Sequence, residues 1–227
     1  MIFLMNIILS LMALSVLVWP CLIVAAILRF TGEGEIFFLQ ERIGKDQKPF
    51  KIIKFATMLK DSPNMAGGDV TTGGDPRILP IGNFLRKTKI NELPQFINVL
   101  TGDMSLVGPR PLTSRVFNLF GNDYKDVLNH ISPGITGIAS IVFRDEEEIL
   151  KNSPKDFMDC YKEDIVPYKT TLEIWYLNNR SVMTDIKILF LTAWAIIFSG
   201  SELHFKIFPD LPKSDAFSKN TKVTRAA

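Results

Sequence analysis

Residues 85–111 combine cations, a carboxylate and a rigid turn with two prolines in a pattern that suits phosphate chemistry. The cations come first and are Arg86, Lys87 and Lys89. Asn91 and Glu92 follow at the predicted start of a helix, where unpaired N–H groups and the positive end of the helix dipole favour phosphate and keep a carboxylate ionised. Asn91 and Glu92 are therefore candidate catalytic residues. A structural alternative also explains this pair, with Asn91 capping the helix and Glu92 in its first turn.

A second feature of this stretch is Arg110, which lies between Pro109 and Pro111. Proline fixes its own backbone φ, so both neighbours of the arginine are held in place. A guanidinium offers a preorganised fork of donors for phosphate oxygens. The turn therefore predicts an arginine directed at a phosphate.

Composition narrows the class of protein. The 227-residue chain has a formal net charge of +2 and is 47% hydrophobic. That charge is too small to indicate a nucleic-acid partner, so anion binding must come from local clusters. The two cysteines, Cys21 and Cys160, provide neither a disulfide framework nor a zinc site. The length suits one packed domain with a membrane anchor.

The first 28 residues carry no charge. A helix of that length rises about 40 Å, more than the roughly 30 Å of bilayer hydrocarbon, so we expect it to be embedded in a membrane. The first cation, Arg29, follows the apolar run, which argues against a cleaved signal peptide and places the body on the cytoplasmic side. Pro20 predicts a kink, after which the helix either crosses the membrane or turns back. The residues alone favour crossing.

The remaining pattern predicts an α+β fold that is mostly helical. β-branched and aromatic residues over 35–58, interrupted at Gly44–Pro49, predict a small β-hairpin. Residues 61–76 predict a mobile loop that could act as a lid. Helices are predicted over 91–100, 111–129, 145–151 and 154–180. Residues 186–198 predict an amphipathic helix at the membrane interface or an ordinary buried helix, and residues 209–227 predict a disordered tail.

Together these segments resemble the monotopic phosphoglycosyl transferases, also called the bacterial sugar transferase family. Beyond residues 85–112 the resemblance rests on Gln40–Lys45, Phe50–Phe55, Asp75–Arg77, Pro133–Gly137 and Asp185–Lys187. It implies a re-entrant amino-terminal helix hairpin broken at Pro20, which replaces the expectation of a spanning helix. The implied organisation is a membrane helix over 1–30, a cytoplasmic catalytic domain over 31–208 and the tail over 209–227.

The resemblance also implies a reaction. A sugar-1-phosphate moves from a UDP-sugar to undecaprenyl phosphate and UMP is released, as the first membrane step of surface polysaccharide or glycoconjugate biosynthesis. The expected setting is the cytoplasmic face of the bacterial inner membrane, in contact with lipid and without nucleic acid, and a homo-oligomer is left open. Mg²⁺ is the implied cofactor, with Glu92 as its ligand. The implied phosphate-binding residues are Lys54, Arg77, Arg86, Arg110 and Arg144.

One position departs from the family pattern. The family places an attacking aspartate before the metal-binding glutamate, whereas this chain has Asn91, and an amide has no anionic form with which to attack. Attack by Glu92, by another carboxylate or directly by the acceptor phosphate stays open. The other carboxylates are Asp75, Asp103 and Asp145. We expect Glu92 to be the essential carboxylate; the alternative is a catalytically silent family member that acts as a membrane-attached scaffold or regulator.

Overall fold

The computed structural model describes residues 1–31, 33–65, 75–198, 200–214 and 217. Within these ranges the chain is mostly helical with a small β component, as predicted. In chain order the elements are α1 (Ile2–Phe30), β1 (Phe37–Ile43), β2 (Pro49–Phe55), α2 (Gly82–Lys87), α3 (Gln95–Thr101), β3 (Ser105–Val107), α4 (Ser114–Phe117), α5 (Asn122–His130), β4 (Gly134–Thr136), α6 (Ile138–Val142), α7 (Glu146–Lys151), α8 (Phe157–Cys160), α9 (Val166–Asn179), α10 (Val182–Ile197) and α11 (Leu203–Ile207). The predicted loop over 61–76 lies largely outside the described residues.

Helix α1 runs without interruption through Pro20. Proline removes only one backbone hydrogen bond, and the neighbouring turns can keep theirs, so a continuous apolar helix accommodates it. The predicted re-entrant hairpin is therefore not confirmed, because no break separates two arms. Among the described residues, α1 is the one helix long and apolar enough to cross a membrane.

Both ends of α1 nevertheless pack against the body. Asn6 and Ser10 are buried near its amino-terminal end, and Val24 and Leu28 are buried near its carboxy-terminal end. The segment between them is mostly exposed and apolar, with Trp19 71% exposed. The middle of the helix thus presents an apolar surface that the body leaves uncovered.

The predicted hairpin is confirmed as β1 and β2, which pair antiparallel from Phe37 opposite Phe55 to Ile43 opposite Pro49. Asn98 of α3 fastens it to the body at two points. The side-chain oxygen of Asn98 accepts from the Ile53 backbone N–H at 3.0 Å, and its amide donates to the Lys51 carbonyl at 2.9 Å. Strand β2 therefore runs beside α3.

A second, parallel pair joins β3 and β4, with Ser105 opposite Gly134 and Val107 opposite Thr136. Gly108 continues the pairing by donating to the Thr136 carbonyl at 2.9 Å. Any side chain at Gly134 or Gly137 would collide with the backbone of Gly108, so both positions need glycine. This close approach fixes the backbone just before Arg110.

Packed structure continues further towards the carboxy terminus than the sequence predicts. Trp175 donates from its ring nitrogen to Asp210 at 2.9 Å, and the Tyr168 hydroxyl donates to the Pro212 carbonyl at 2.8 Å. The Phe217 ring contacts the Phe143 ring with centroids 5.2 Å apart. The predicted start of the tail at 209 therefore falls inside packed structure, while residues 218–227 lie outside the described ranges.

Helix α10 covers the range predicted for an interfacial or buried helix. One face buries Ile188 and Leu191, whereas the other exposes Met183, Phe190 and Ile197. The helix is therefore not an ordinary buried one, because a large part of its apolar surface faces outward. Its placement at a membrane interface stays a prediction.

Candidate active site

Asn91 and Glu92 lie in a 3₁₀ turn, Ile90–Glu92, and not in the helix that follows. Lys89 precedes the turn in the left-handed conformation, with φ 60°, and α3 begins at Gln95 behind Pro94. No side chain caps α3. The structural alternative for Asn91 is therefore wrong, because a separate turn comes between this residue and the helix start.

Glu92 is the centre of an ion-pair cluster. Its Oε1 accepts from Nζ of Lys54 at 3.3 Å and from Nη2 of Arg110 at 3.0 Å. Lys54 comes from β2 and Arg110 from the turn after β3, so three separate segments meet at one oxygen. The structure thus brings together three of the predicted site residues.

Electrostatics keep this carboxylate charged. Burial alone would raise the pKa of Glu92, but the charges of Arg110, Lys54 and Lys89 outweigh burial and hold that pKa well below its usual range. Burial lowers the pKa of Lys54 to about 8 even though Glu92 opposes the shift. Glu92 is therefore ionised at every physiological pH, whereas Lys54 can lose its proton in mildly alkaline solution.

Arg110 is positioned by its backbone and still reachable by its side chain. Its carbonyl accepts from the Tyr124 hydroxyl at 3.5 Å, and the Pro111 carbonyl accepts from Arg42 at 3.2 Å. The Arg110 side chain is 45% exposed. Because a guanidinium has five N–H donors, Arg110 can hold Glu92 and still donate to a phosphate.

Two further donors at this cluster were not predicted as site residues. A small cavity is lined by Arg42, Gln95, Lys54 and Arg110. Gln95 is 2% exposed, and its side-chain nitrogen donates to no other described residue. A buried donor facing a cavity without a partner calls for an acceptor from outside the chain. The available signals were the motif Gln40–Lys45 for Arg42 and the stretch 85–112 for Gln95, and neither residue stood out within its segment.

Two oxygens at the cluster also lack partners. Among the described residues, the buried side-chain oxygen of Asn91 accepts no hydrogen bond, and both cations that reach Glu92 contact its Oε1 only. Oxygen ligands of this kind suit Mg²⁺, which uses one or two carboxylates and completes its shell with water and phosphate. No group of three His, Cys, Asp or Glu side chains that could hold a metal occurs in the described ranges. A magnesium ion with Asn91 and Glu92 as its two protein ligands would complete its shell with water and a phosphate substrate, and the residues present fit that arrangement.

The other predicted phosphate ligands make contacts that do not involve Glu92 among the described residues. Arg77 is 2% exposed and donates to Asp75 and to the Ser62 carbonyl. Arg144 donates to the Ala195 carbonyl at the end of α10. Arg86 lies in the last turn of α2, where its charge helps to lower the pKa of Asp75 behind the larger effect of Arg77. None of the three is paired with Glu92 in the contacts described.

The alternative carboxylates are not brought to Glu92 either. Asp75 is engaged by Arg77, and Asp103 accepts from Thr101 at 2.8 Å at the far end of α3. Asp145 precedes α7. The charge of its neighbour Glu146 also raises the pKa of Arg110, with a smaller effect than the charge of Glu92. Of the carboxylates considered from the sequence, Glu92 is the one that the structure pairs with both Lys54 and Arg110.

Comparison with known proteins gives a consistent assignment. A family model described as bacterial sugar transferase matches residues 2–199. The UDP-glucose:undecaprenyl-phosphate glucose-1-phosphate transferase of Escherichia coli (strain K12) is 38% identical over 176 residues, which are 75% of this chain and 34% of that protein. The galactosyl transferase CpsE of Streptococcus agalactiae is 37% identical over 174 residues, which are 72% of this chain and 35% of that protein.

A shorter relative aligns over most of both chains. The sugar transferase EpsL of Bacillus subtilis (strain 168) is 35% identical over 175 residues, which are 77% of this chain and 76% of that protein. By contrast, the aligned part is about a third of the length of the Escherichia coli and Streptococcus agalactiae relatives. The family match over residues 2–199 includes all three residues of the Glu92 cluster.

Proposed function

The chain belongs to the bacterial sugar transferase family, and we propose from this premise that it transfers a sugar-1-phosphate from a UDP-sugar to undecaprenyl phosphate, with release of UMP. The observation that carries the proposal is the cluster in which Lys54 and Arg110 meet at Glu92 beside a cavity lined by Gln95. Two cations and an unpartnered amide donor suit a diphosphate, and an ionised carboxylate among them suits chemistry at phosphorus.

In the proposed reaction, the bond between the sugar phosphate and the oxygen of UMP breaks, and a bond forms between that phosphorus and an attacking oxygen. Arg110 donates to the diphosphate through N–H groups not used by Glu92, and Gln95 adds a neutral donor. Lys54 holds the carboxylate and adds positive charge where negative charge builds up on the leaving UMP. Glu92 and Asn91 would hold Mg²⁺, which neutralises charge on the diphosphate.

We propose that Glu92 is the essential carboxylate. Its Oε1 is occupied by Lys54 and Arg110, so Oε2 is the oxygen that can reach a substrate or a metal. Attack by Oε2 on the donor phosphorus would give a phosphosugar attached to Glu92 and release UMP, and undecaprenyl phosphate would then take the sugar phosphate. If the acceptor attacks directly, Glu92 only positions the reactants, and UMP appears only when the acceptor is present.

The membrane arrangement supports the same reaction. Because both ends of α1 pack on one body, we propose that both lie on the cytoplasmic side of the bacterial inner membrane, with the exposed middle of the helix dipping into lipid. A shallowly inserted enzyme can reach a lipid phosphate and a soluble donor from one side, as a first membrane step requires. A cysteine placed before Ile2 should resist labelling by reagents outside intact cells; labelling from outside would restore a spanning helix.

The activity itself is tested with purified full-length protein, Mg²⁺, undecaprenyl phosphate and a series of radiolabelled UDP-sugars. UDP-glucose, UDP-galactose and UDP-N-acetylgalactosamine come first, because relatives are named for glucose, galactose and N-acetylgalactosamine. We expect one sugar to yield a radiolabelled lipid together with an equal amount of UMP. Binding of UDP-sugars without any lipid product across a full series would favour the catalytically silent scaffold.

A further inference from the structure

A second cavity lies away from Glu92, between the amino-terminal end of α1 and the body. Its volume is about 180 Å³, far more than the 10–15 Å³ or so that one water needs. Ile2, Phe3 and Asn6 of α1 form one wall, and Lys45, His130 and Arg180 line it from the body. The cavity thus joins an apolar wall to a set of basic side chains.

Polar groups in this cavity lack partners within the chain. Asn6 is 4% exposed, and its side-chain oxygen accepts no hydrogen bond from any other described residue. The buried Nε of Arg180 likewise donates to none of them. Buried donors and acceptors are paired in nearly all native structures, so these two indicate an occupant that both accepts and donates.

The charge around the cavity favours an anion. Each ionisable residue found lining it is basic. Three acids lie near the lining residues: Asp126 is 3.7 Å from His130, the buried Asp185 is close enough to Arg180 for their charges to interact, and Asp103, between Gly102 and Met104 in sequence, accepts from Asn98 and Thr101. Lys45 has no such counter-charge among the described ion pairs. An anionic group in the cavity would therefore meet one uncompensated cation, Lys45, together with the free Nε donor of Arg180.

Exposed apolar side chains surround the amino-terminal end of α1. Phe3 is 69% exposed, Leu4 61% and Ile8 48%. A ligand with an acidic head and an apolar tail would satisfy both the cavity and this rim. We propose that the cavity binds the head group of an anionic membrane phospholipid, with a phosphate for Lys45 and Arg180 and a hydroxyl for Asn6, as in phosphatidylglycerol.

This lipid would not be the reacting acceptor. The cavity is lined by Val99, Gly102 and Met104 at the end of α3, whereas Glu92 precedes the start of that helix. Seven helical residues rise about 10 Å, and the two cavities share no lining residue. A phosphate bound here would instead fasten the amino-terminal end of α1 to the body at the membrane surface.

The test is native mass spectrometry of the full-length protein in detergent, titrated with phosphatidylglycerol, phosphatidylcholine, undecaprenyl phosphate or inorganic phosphate. We expect one phosphatidylglycerol to bind, more tightly than phosphatidylcholine or inorganic phosphate, and we expect the binding of undecaprenyl phosphate, whose proposed site is the Glu92 cluster, to be unaffected by the cavity variants. Lys45→Gln should weaken phosphatidylglycerol binding by about fivefold or more, whereas Lys48→Gln, the same change on the same exposed turn but outside the cavity, should leave it within twofold. Asn6→Leu should also weaken it while the thermal midpoint stays the same or rises.

Several outcomes would overturn the proposal. Equal losses for Lys45→Gln and Lys48→Gln would mean that the lipid responds only to overall surface charge. Weaker binding of undecaprenyl phosphate to Lys45→Gln than to the parent would assign the cavity to the acceptor, and inorganic phosphate binding as tightly as the lipid would remove the need for a tail. Unchanged lipid binding in a folded Asn6→Leu variant would show that the buried amide takes no part.

Discussion

Arg77 and Arg110 each pair with a carboxylate, but the two pairs differ in what they leave available. Arg77 is 2% exposed and uses Nε, Nη1 and Nη2 on Asp75 and the Ser62 carbonyl. The Arg110 side chain is 45% exposed and reaches Glu92 through Nη2. The donors of Arg77 are used in hydrogen bonds within the protein, whereas Arg110 keeps donors that face solvent.

The difference comes from position rather than residue type. Arg77 follows its partner by two residues, so the pair closes locally and becomes buried as a unit. Arg110 and Glu92 are 18 residues apart and meet only because the Gly108 backbone is fixed against β4. A pair assembled by tertiary structure at a surface can exchange partners with a substrate, and this property distinguishes a phosphate site from a structural bridge.

Apart from Glu92→Gln, the variant with the largest expected loss of activity is Arg110→Ala. Once a bound substrate covers Arg110 and excludes water, loss of this phosphate contact should cost about 2.7–4 kcal/mol of transition-state stabilisation, so we expect kcat/KM to fall roughly a hundredfold or more. Lys48→Ala removes an exposed cation of the hairpin turn and should change kcat/KM less than twofold. If Arg110→Ala and Lys48→Ala lower kcat/KM by the same small factor, the Gly108–Pro111 segment is only a structural turn.

A pH effect should follow from Lys54. Its pKa of about 8 means that the cation is lost above pH 8, so the rate should fall up to tenfold per unit there. Because this pKa lies below the ordinary 10.5, the contribution of Lys54 to the free energy of unfolding increases from pH 8 to 10.5, and the loss of rate is not unfolding. Lys54→Arg should remove the alkaline decline.

One control is needed for that profile, because burial also raises the pKa of Glu173 to about 8. Glu173 is 2% exposed and lies outside the cluster. Glu173→Gln should therefore leave the alkaline decline in place. If the decline disappears in Glu173→Gln and persists in Lys54→Arg, the titrating group has been misassigned.

Asn91→Asp should change the steady-state rate less than Arg110→Ala does, and it should leave that rate unchanged or lower it. The change adds a carboxylate beside Glu92 in a buried turn, where like charges disfavour each other and repel the substrate phosphate. Steady-state rates of the two proteins at one Mg²⁺ concentration would show it. A large gain from a nearly inactive parent would instead favour the silent-scaffold alternative.

Asp75→Asn should have the smallest effect on the rate and the clearest effect on stability. Removing one partner of a buried ion pair leaves Arg77 with an uncompensated charge, so the thermal midpoint should drop by roughly 5 °C or more. The kcat of the folded protein should stay within about threefold. A collapse of kcat at an unchanged midpoint would give the Arg77 pair a catalytic role and remove the contrast with Arg110.

Local patterns predicted the hairpin, α7 and the rigid turn at Arg110, because a few neighbouring residues determine each of them. The predicted helix over 111–129 divides into α4 and α5 around Gly121. The expected helix start at Asn91 became a separate 3₁₀ turn, which follows Lys89 in a left-handed conformation. These departures depend on single backbone angles that periodicity does not report.

The site was predicted in part. Glu92 and Arg110 stood out from their own surroundings, whereas the phosphate-binding role of Lys54 came from the family resemblance. The resemblance gave Arg77 the same role as Arg110, and only the packing of distant segments shows that Arg77 is buried. Gln95 gave no signal of its own, because an unpaired buried amide can be recognised only when its neighbours are in place.

The central claim is that Glu92 is the carboxylate on which transfer depends, and one measurement tests it most directly. The full-length protein is incubated with the UDP-sugar donor, with and without undecaprenyl phosphate, and UMP release and the mass of the Glu92 peptide are followed. With both substrates, Glu92→Gln should abolish UMP release while the protein stays folded. If Glu92 attacks, the parent with donor alone should release about one UMP per chain and carry a sugar-phosphate mass on that peptide. UMP that appears only with acceptor, and no adduct, would mean direct attack; a fully active Glu92→Gln variant would contradict the account.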